Sequence, residues 1–312
     1  MVIEKVLLDH VIDIARNAGE TILSIYHQSA KLEIVSKADD SPLTQADISA
    51  HHIILDGLNR ISPEIPVLSE ESALPDFAQR QQWQKYWLVD PLDGTKEFIS
   101  RNGEFTVNIA LIDKGVPVLG VVYVPVSDVC YAGFSTKAPT AISSELSLES
   151  SSIDLSNSVG AHVDKYTDKH THKYACKISN DNRVDIKTRC AQRLVGEGSP
   201  IEVVASRHHR ADAVDIFCAK INAQWGQTRL RTMGSSLKLC LIAEGRADLY
   251  PRFGPTSEWD TAAAQAIVEA AGGYVLDASG IPLRYNQKDS VRNPDFFVIG
   301  EDIKQWRRLL SL

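Results

Sequence analysis

The chain has 312 residues, 44% of them hydrophobic, a formal charge of −7 and a pI near 5.7, so it can bury a sizeable core and does not present a general nucleic-acid-binding surface. Its five cysteines (Cys130, Cys176, Cys190, Cys218 and Cys240) are an odd number without a C-x-x-C pair, which speaks against a disulfide framework and for a reducing cytoplasm. Charges interrupt the apolar residues of the first ten positions and no stretch nears the roughly 20 apolar residues of a membrane span, so neither a signal peptide nor a transmembrane helix is expected.

Ile3, Leu7, Val11, Ile14, Ala18, Ile22 and Ile25 recur at steps of three and four, which predicts a long amphipathic helix. A second helix is expected after Thr44, through Ile48, Ile54 and Leu58, with Thr44 as N-cap and Asp47 three positions later. Strand texture follows at residues 65–68, at 86–89 running into Asp90, and at 105–112 and 118–124 around a turn at 114–117. Residues 137–200 read as an insertion, partly loop, with a serine-rich run from Ser143 to Ser158. Beyond it come a strand at 201–205 and helices around Ala211–Asn222 and Ser235–Glu244. A last long helix, Trp259–Ala271, stops at Gly272-Gly273 and is followed by strands near 274–276 and 296–299. The expected division is an N-terminal α+β part (1–136), the insertion (137–200) and a C-terminal α/β part (201–312).

The most informative string is Val89-Asp90-Pro91-Leu92-Asp93-Gly94-Thr95, directly after a buried-looking strand. Two carboxylates three residues apart around a Pro-containing turn can converge on a hard divalent cation, and a backbone carbonyl in the turn can add a further oxygen. The free N–H groups of Gly94 and Thr95 would suit a bound phosphate. An ordinary P-x-D-G surface turn has the same composition. Glu70-Glu71 after the strand at 65–68 reads equally as a solvated loop, and Ser257 with Asp260 reads equally as a capping box. His170, His172, Cys176 and Cys190 match no zinc-finger spacing, so zinc is not expected.

Taken together, the pieces resemble the inositol monophosphatase superfamily, whose two signatures D-P-[ILV]-D-G-T and W-D-x-A-A stand here as Asp90–Thr95 and Trp259–Ala263. The likeness extends to the string Asp39–Asp47 and to the glutamate pair, in the family's chain order, and covers most of the chain outside the insertion. It implies a layered αβαβα sandwich of the inositol monophosphatase and fructose bisphosphatase type. It further implies that Glu70, Asp90, the carbonyl of Leu92, Asp93 and Asp260 hold two or three Mg²⁺, with Mn²⁺ able to substitute and Li⁺ inhibitory. Asp47 and Thr95 would activate the attacking water, and Glu71 would stand behind the metal ligands.

Finer strings resemble the 3'(2'),5'-bisphosphate nucleotidase branch in its bacterial form: Lys96-Glu97-Phe98, Arg101–Ala110, Gly234–Lys238 and Leu249–Thr256. That likeness implies hydrolysis of 3'-phosphoadenosine 5'-phosphate to AMP and phosphate within sulfur metabolism. Glu70, Leu92, Asp93, Gly94, Thr95 and Asp260 would meet the scissile phosphate, and Ser235, Lys238 and Arg252 the distal phosphate or ribose. The branch's Ser-x-Ser-His is Ser206-Arg207-His208-His209 here, a departure that leaves both histidines outside the expected site. The alternatives are an inositol monophosphatase or fructose-bisphosphatase-like sugar phosphatase, and a non-catalytic nucleotide-sensing protein. A cytoplasmic location is expected, with peripheral docking on the inner membrane's cytoplasmic face kept open. Oligomeric state is not legible.

Overall fold

The computed structural model describes residues 2–28, 34–36, 42–136, 172–190, 198–207, 211–300 and 306. Helix α1 (Val2–Tyr26) buries Val11, Ile14, Ala18 and Ile22 as one stripe, as their spacing predicts. A ribbon of β1 (Ile34–Ser36) and β2 (Pro42–Thr44) leads into α2 (Gln45–Ile61). Thr44 and Asp47 close a capping box at the start of α2, satisfying backbone donors that the first helical turn leaves without partners.

Seven strands then build one sheet: β3 (Val67–Ser69), β4 (Lys85–Asp93), β5 (Thr106–Asp113), β6 (Val116–Val124), β7 (Val129–Ser135), β8 (Lys173–Ser179) and β9 (Asn182–Asp185), neighbours in that order. Short helices α3 (Phe77–Arg80) and α4 (Thr95–Ile99) flank β4. The sheet corrects the expectation of an insertion over 137–200, since Lys173–Asp185 contributes its last two strands. These strands carry weak signals: β8 alternates only partly, and β9 is exposed throughout, as the edge of a sheet needs no strict inside–outside pattern. Residues 137–171 and 191–197 of that stretch, with His170, lie outside the described residues.

The chain continues with β10 (Ile201–Ser206), α5 (Ala211–Gln224), β11 (Thr228–Met233), α6 (Leu237–Ala243), β12 (Leu249–Arg252), α7 (Glu258–Ala270), β13 (Tyr274–Asp277) and β14 (Phe296–Ile299). The five strands form a second, mixed sheet in the order β11-β10-β12-β14-β13. Three apolar clusters stack the layers. Trp87, Val89, Val107, Ile109 and Val121 face α1 and α2. Tyr86, Leu88, Ala110 and Val122 face α6, α7 and the inner side of the five-stranded sheet. Ile201, Val203, Leu249 and Ile299 on its outer side pack against Val214, Cys218 and Ile221 of α5. The order is therefore α1/α2, sheet, α6/α7, sheet, α5, the expected αβαβα arrangement.

Helix α7 lies flush on β6. A Cβ added to Gly120 would sit 2.0 Å from the carbonyl oxygen of Ala263, so glycine is the one residue that lets this helix approach so closely. The same helix buries Glu269, whose carboxyl burial pushes up to about 7 against the opposing pull of Gln265, Lys173 and Arg284. A folded-state pKa above the ordinary value of 4.5 means that the native state binds the proton more tightly than the unfolded chain, so stability falls as pH rises from about 4.5 to 7. Glu269→Gln keeps the oxygen that accepts the Gln265 amide (2.9 Å) and removes the charge. Urea unfolding should show the variant more stable by up to about 3 kcal/mol at pH 8 and equal to the parent below pH 5; equal stabilities at pH 8 would contradict this account.

Candidate active site

The string expected as a turn is instead the end of β4, which continues through Asp93. In a regular strand, residues three apart point to opposite faces. Here Asp90 pairs with Asn108 and Asp93 with Thr106, so the register breaks between the two acids. The break shifts the alternation by one. Leu92 consequently packs with Trp87 and Val89 against α1 and α2, and Asp90 and Asp93 emerge on the same side of the sheet. A bulge, rather than a turn, brings the carboxylates together.

Glu70 follows β3, parallel to β4, and its N–H donates to the carbonyl of Val89 (3.0 Å). Asp260 arrives from the first turn of α7. Glu70, Asp90 and Asp260 each offer a carboxylate oxygen, and these atoms lie within 4.8 Å of one another. Asp260 is also the capping-box residue, accepting from the Ser257 N–H at 2.9 Å, so its place in the cap is compatible with its place in the acid cluster. Burial, then the charges of Glu70, Asp93 and Asp260, hold the Asp90 carboxyl well above the ordinary range. Burial, then Asp93 and Glu70, does the same to Asp260. Burial also raises Asp93 to about 6, against the pull of Lys238. Carboxyls that raise one another's proton affinity form a crowded, oxygen-only donor set, and such a set fits a hard divalent cation.

Asp93 is held from behind. Its Oδ2 accepts from the Ser236 N–H (2.6 Å) and the Asn108 side-chain amide (3.3 Å). The Ser236 hydroxyl in turn donates to Asn108 Oδ1 (2.9 Å) and meets the Thr106 hydroxyl at 2.9 Å. Thr106, Asn108 and Ser236 are buried. The strings Arg101–Ala110 and Gly234–Lys238 contain all three, but their joint role is not legible there, because residues 130 apart meet only in the fold.

Asp47, buried on α2, accepts the N–H and hydroxyl of Thr44 on Oδ2 (2.8 and 2.6 Å). Its other oxygen accepts the Thr95 hydroxyl at 3.2 Å. The cap therefore aims one carboxylate oxygen at Thr95, and Thr95 lines the cavity.

That cavity, of about 380 Å³, is lined by Glu70, Asp90, Asp93 and Asp260 together with Gly94, Thr95, Ser235, Lys238 and Arg252. Leu92 and Asp47 stand behind its wall, and Glu71 is not among the lining residues. The Lys238 ammonium donates to the carbonyls of Met233 and Ser235, and burial lowers its pKa to about 8 against the opposing pull of Asp93. Arg252 is buried, gives one N–H to the carbonyl of Pro255 (2.8 Å), and leaves its Nε without a hydrogen-bond partner. Lys96, Glu97, Tyr250, Trp259 and Arg292 also border the space. His208 and His209 lie outside the described residues, His172 is exposed and Cys176 is buried in β8.

An α/β/α/β/α sandwich with acids from a strand bulge, a strand end and a helix cap meeting over one cavity defines a class of metal-assisted phosphoesterases, and comparison places the chain within it. Residues 4–296 match the inositol monophosphatase family, to which the chain belongs. It is 46% identical over 292 residues to the 3'(2'),5'-bisphosphate nucleotidase CysQ of Escherichia coli (strain K12), covering 94% of this chain and 99% of that one. The protein of the same name in Haemophilus influenzae is 31% identical over 306 residues, with 98% and 97% covered. The crystal structure of CysQ from Bacteroides thetaiotaomicron superposes with a TM-score of 0.69 at 39% identity, covering 95% of this chain and 97% of that one. Among the described residues, no helix is long and apolar enough to cross a membrane.

Proposed function

We propose that this chain is a divalent-metal-dependent 3'(2'),5'-bisphosphate nucleotidase that converts 3'-phosphoadenosine 5'-phosphate and water into AMP and phosphate. The observation that carries the reading is one cavity bordered both by the acid cluster and by two buried cations, Lys238 and Arg252. A monophosphatase needs the first feature, whereas a substrate with a second phosphate also needs the other. The full-length likeness to proteins named for this activity supports it.

Glu70, Asp90, the Leu92 carbonyl, Asp93 and Asp260 would hold two or three Mg²⁺, or Mn²⁺ in their place, with Li⁺ as inhibitor. When bound, the metal supplies Lewis-acid charge that polarises the phosphoryl group and acidifies water. The Thr95 hydroxyl accepts a proton from the attacking water and passes its own to Asp47 Oδ1, to which it already donates at 3.2 Å. Water attacks phosphorus, the P–O3' bond breaks, and the ribose oxygen takes up a proton from solvent. Gly94, at φ 94°, where a Cβ would press on the Glu104 carbonyl oxygen at 3.2 Å, brings backbone amides to the phosphate. Ser235, Lys238 and Arg252 hold the 5'-phosphate and ribose, the unpartnered Nε of Arg252 being the donor that gains most. The reaction would run in the cytoplasm and serve sulfur metabolism.

Comparing kcat/KM for 3'-phosphoadenosine 5'-phosphate, inositol 1-phosphate and fructose 1,6-bisphosphate with Mg²⁺ tests the reading. A tenfold preference for either sugar ester overturns it, and tight nucleotide binding without phosphate release would mark a sensor instead. Lys238→Ala should raise KM for the bisphosphate roughly 30-fold, the loss of about 2 kcal/mol from a charged hydrogen bond. The KM of a simple phosphomonoester should change far less, and equal effects on both would remove Lys238 from the specificity role.

A further inference from the structure

We infer that Glu104 is a positioning residue that governs how tightly the nucleotide end of the substrate is held, by pinning the turn that carries Ser235 and Lys238. The inference rests on the nucleotidase reading above. Glu104 lies outside the cavity lining and touches none of the groups assigned to the metal.

The loop that carries Glu104 is itself anchored. Arg101, at φ 56°, donates from its guanidinium to the carbonyls of Tyr26 (2.7 Å) and Gln28 (3.0 Å) at the end of α1. Asn102 accepts the Glu104 N–H on its side-chain oxygen at 2.9 Å, and Gly103 turns the chain at φ 78°. From this base, Glu104 Oε2 accepts the N–H of Gly234 at 2.7 Å. Arg207, just after β10, donates to both carboxylate oxygens at 2.9 and 3.0 Å. One carboxylate thus joins three segments far apart in sequence.

The turn has no slack at that point. A Cβ on Gly234 would lie 2.6 Å from Glu97 Cγ and 2.9 Å from the Glu104 carbonyl oxygen, so only glycine lets the two loops meet. The next residue, Ser235, stands at φ 45°, a conformation that non-glycine residues adopt only where the surroundings hold them. The far end of the turn is tied independently, by the Ser236 N–H on Asp93 and by the Ser236 hydroxyl on Thr106 and Asn108. Lys238 spans the two ends through its bonds to the Met233 and Ser235 carbonyls. Removing Glu104 therefore releases the nucleotide end and leaves the Asp93 end fastened.

The experiment measures kcat and KM of the parent, Glu104→Ala, Glu104→Gln and Arg207→Ala with 3'-phosphoadenosine 5'-phosphate and with p-nitrophenyl phosphate, alongside Tm. Glu104→Ala should raise KM for the bisphosphate about tenfold, with kcat for either substrate within about threefold. Glu104→Gln keeps an acceptor for the Gly234 N–H and should recover most of that KM. Arg207→Ala should fall between the two. A KM rise equal for both substrates, or a fall in kcat at constant KM, overturns the positioning role. If Glu104→Ala does not fold, Glu104→Gln and Arg207→Ala decide: neither raising KM selectively for the bisphosphate overturns it. A parent enzyme that hydrolyses p-nitrophenyl phosphate but not the bisphosphate overturns the nucleotidase reading and this inference with it.

Discussion

Asp90→Asn should yield a folded protein that turns over its substrate about a thousandfold more slowly at saturating Mg²⁺, yet resists heat better than the parent when divalent cations are removed. The two effects have one origin. Asp90 is 2% exposed and faces Glu70, Asp93 and Asp260, so its negative charge is costly until a cation sits among the acids. The amide matches the carboxylate in size and keeps the oxygen that accepts the Leu92 N–H at 3.1 Å. Metal-free protein thereby loses repulsion without losing packing. The loaded enzyme loses a charged ligand at the centre of the site, and a thousandfold corresponds to about 4 kcal/mol of transition-state stabilisation. Phosphate release with Mg²⁺ and calorimetry with and without a chelator check both halves. Near-parental turnover, or a lower metal-free Tm, would refute the ligand assignment.

Asp47→Asn should lower kcat by about two to three orders of magnitude, the range of general-base catalysis, with KM nearly unchanged. Asp47 lies outside the cavity lining and reaches the reaction only through the Thr95 hydroxyl, at 3.2 Å. An asparagine offers one acceptor where the native residue uses two, so it cannot serve Thr44 and Thr95 together. Whichever contact survives, the relay or the cap is broken. Loss of the cap would cost about 1 kcal/mol, far too little to unfold the protein. Thr95→Ala should reduce kcat comparably, and the double variant should be hardly worse than the poorer single one, as for groups acting in one relay. Independent, multiplying losses would show that the two residues do not share a proton path.

The sequence carried more of the layers than of their joints. Helices α1 and α2 stand where periodicity and caps place them, because each buries one stripe, and α7, buried on nearly every face between the sheets, stands where its cap and Gly272-Gly273 place it. Both caps use an acid that is also a candidate site residue, Asp47 and Asp260. A capping box fixes the direction of its carboxylate, so one residue can satisfy the helix start and point toward the cavity or its wall. The bulge at Asp90–Asp93 was not legible, since proline and glycine suggest a turn and only pairing with β5 reveals an irregular strand. Strand β9 was hidden by its polar, exposed residues, and β8 by a partner, β7, that ends far before it at Ser135. Asn108, Ser236, Glu104 and Arg207 belong to the same category: their meaning is in contacts across more than a hundred residues.

The flush seat of α7 on Gly120 bears on how such an enzyme can diversify. Asp260 is fixed to the seven-stranded sheet by backbone against backbone, with no side chain between to be exchanged. Lys238 and Arg252 border the cavity with side chains alone, apart from the Ser236 and Ser257 contacts that hold Asp93 and Asp260. Selection for a new phosphoester would therefore exchange those two side chains first, and the hydrolytic end would be inherited intact.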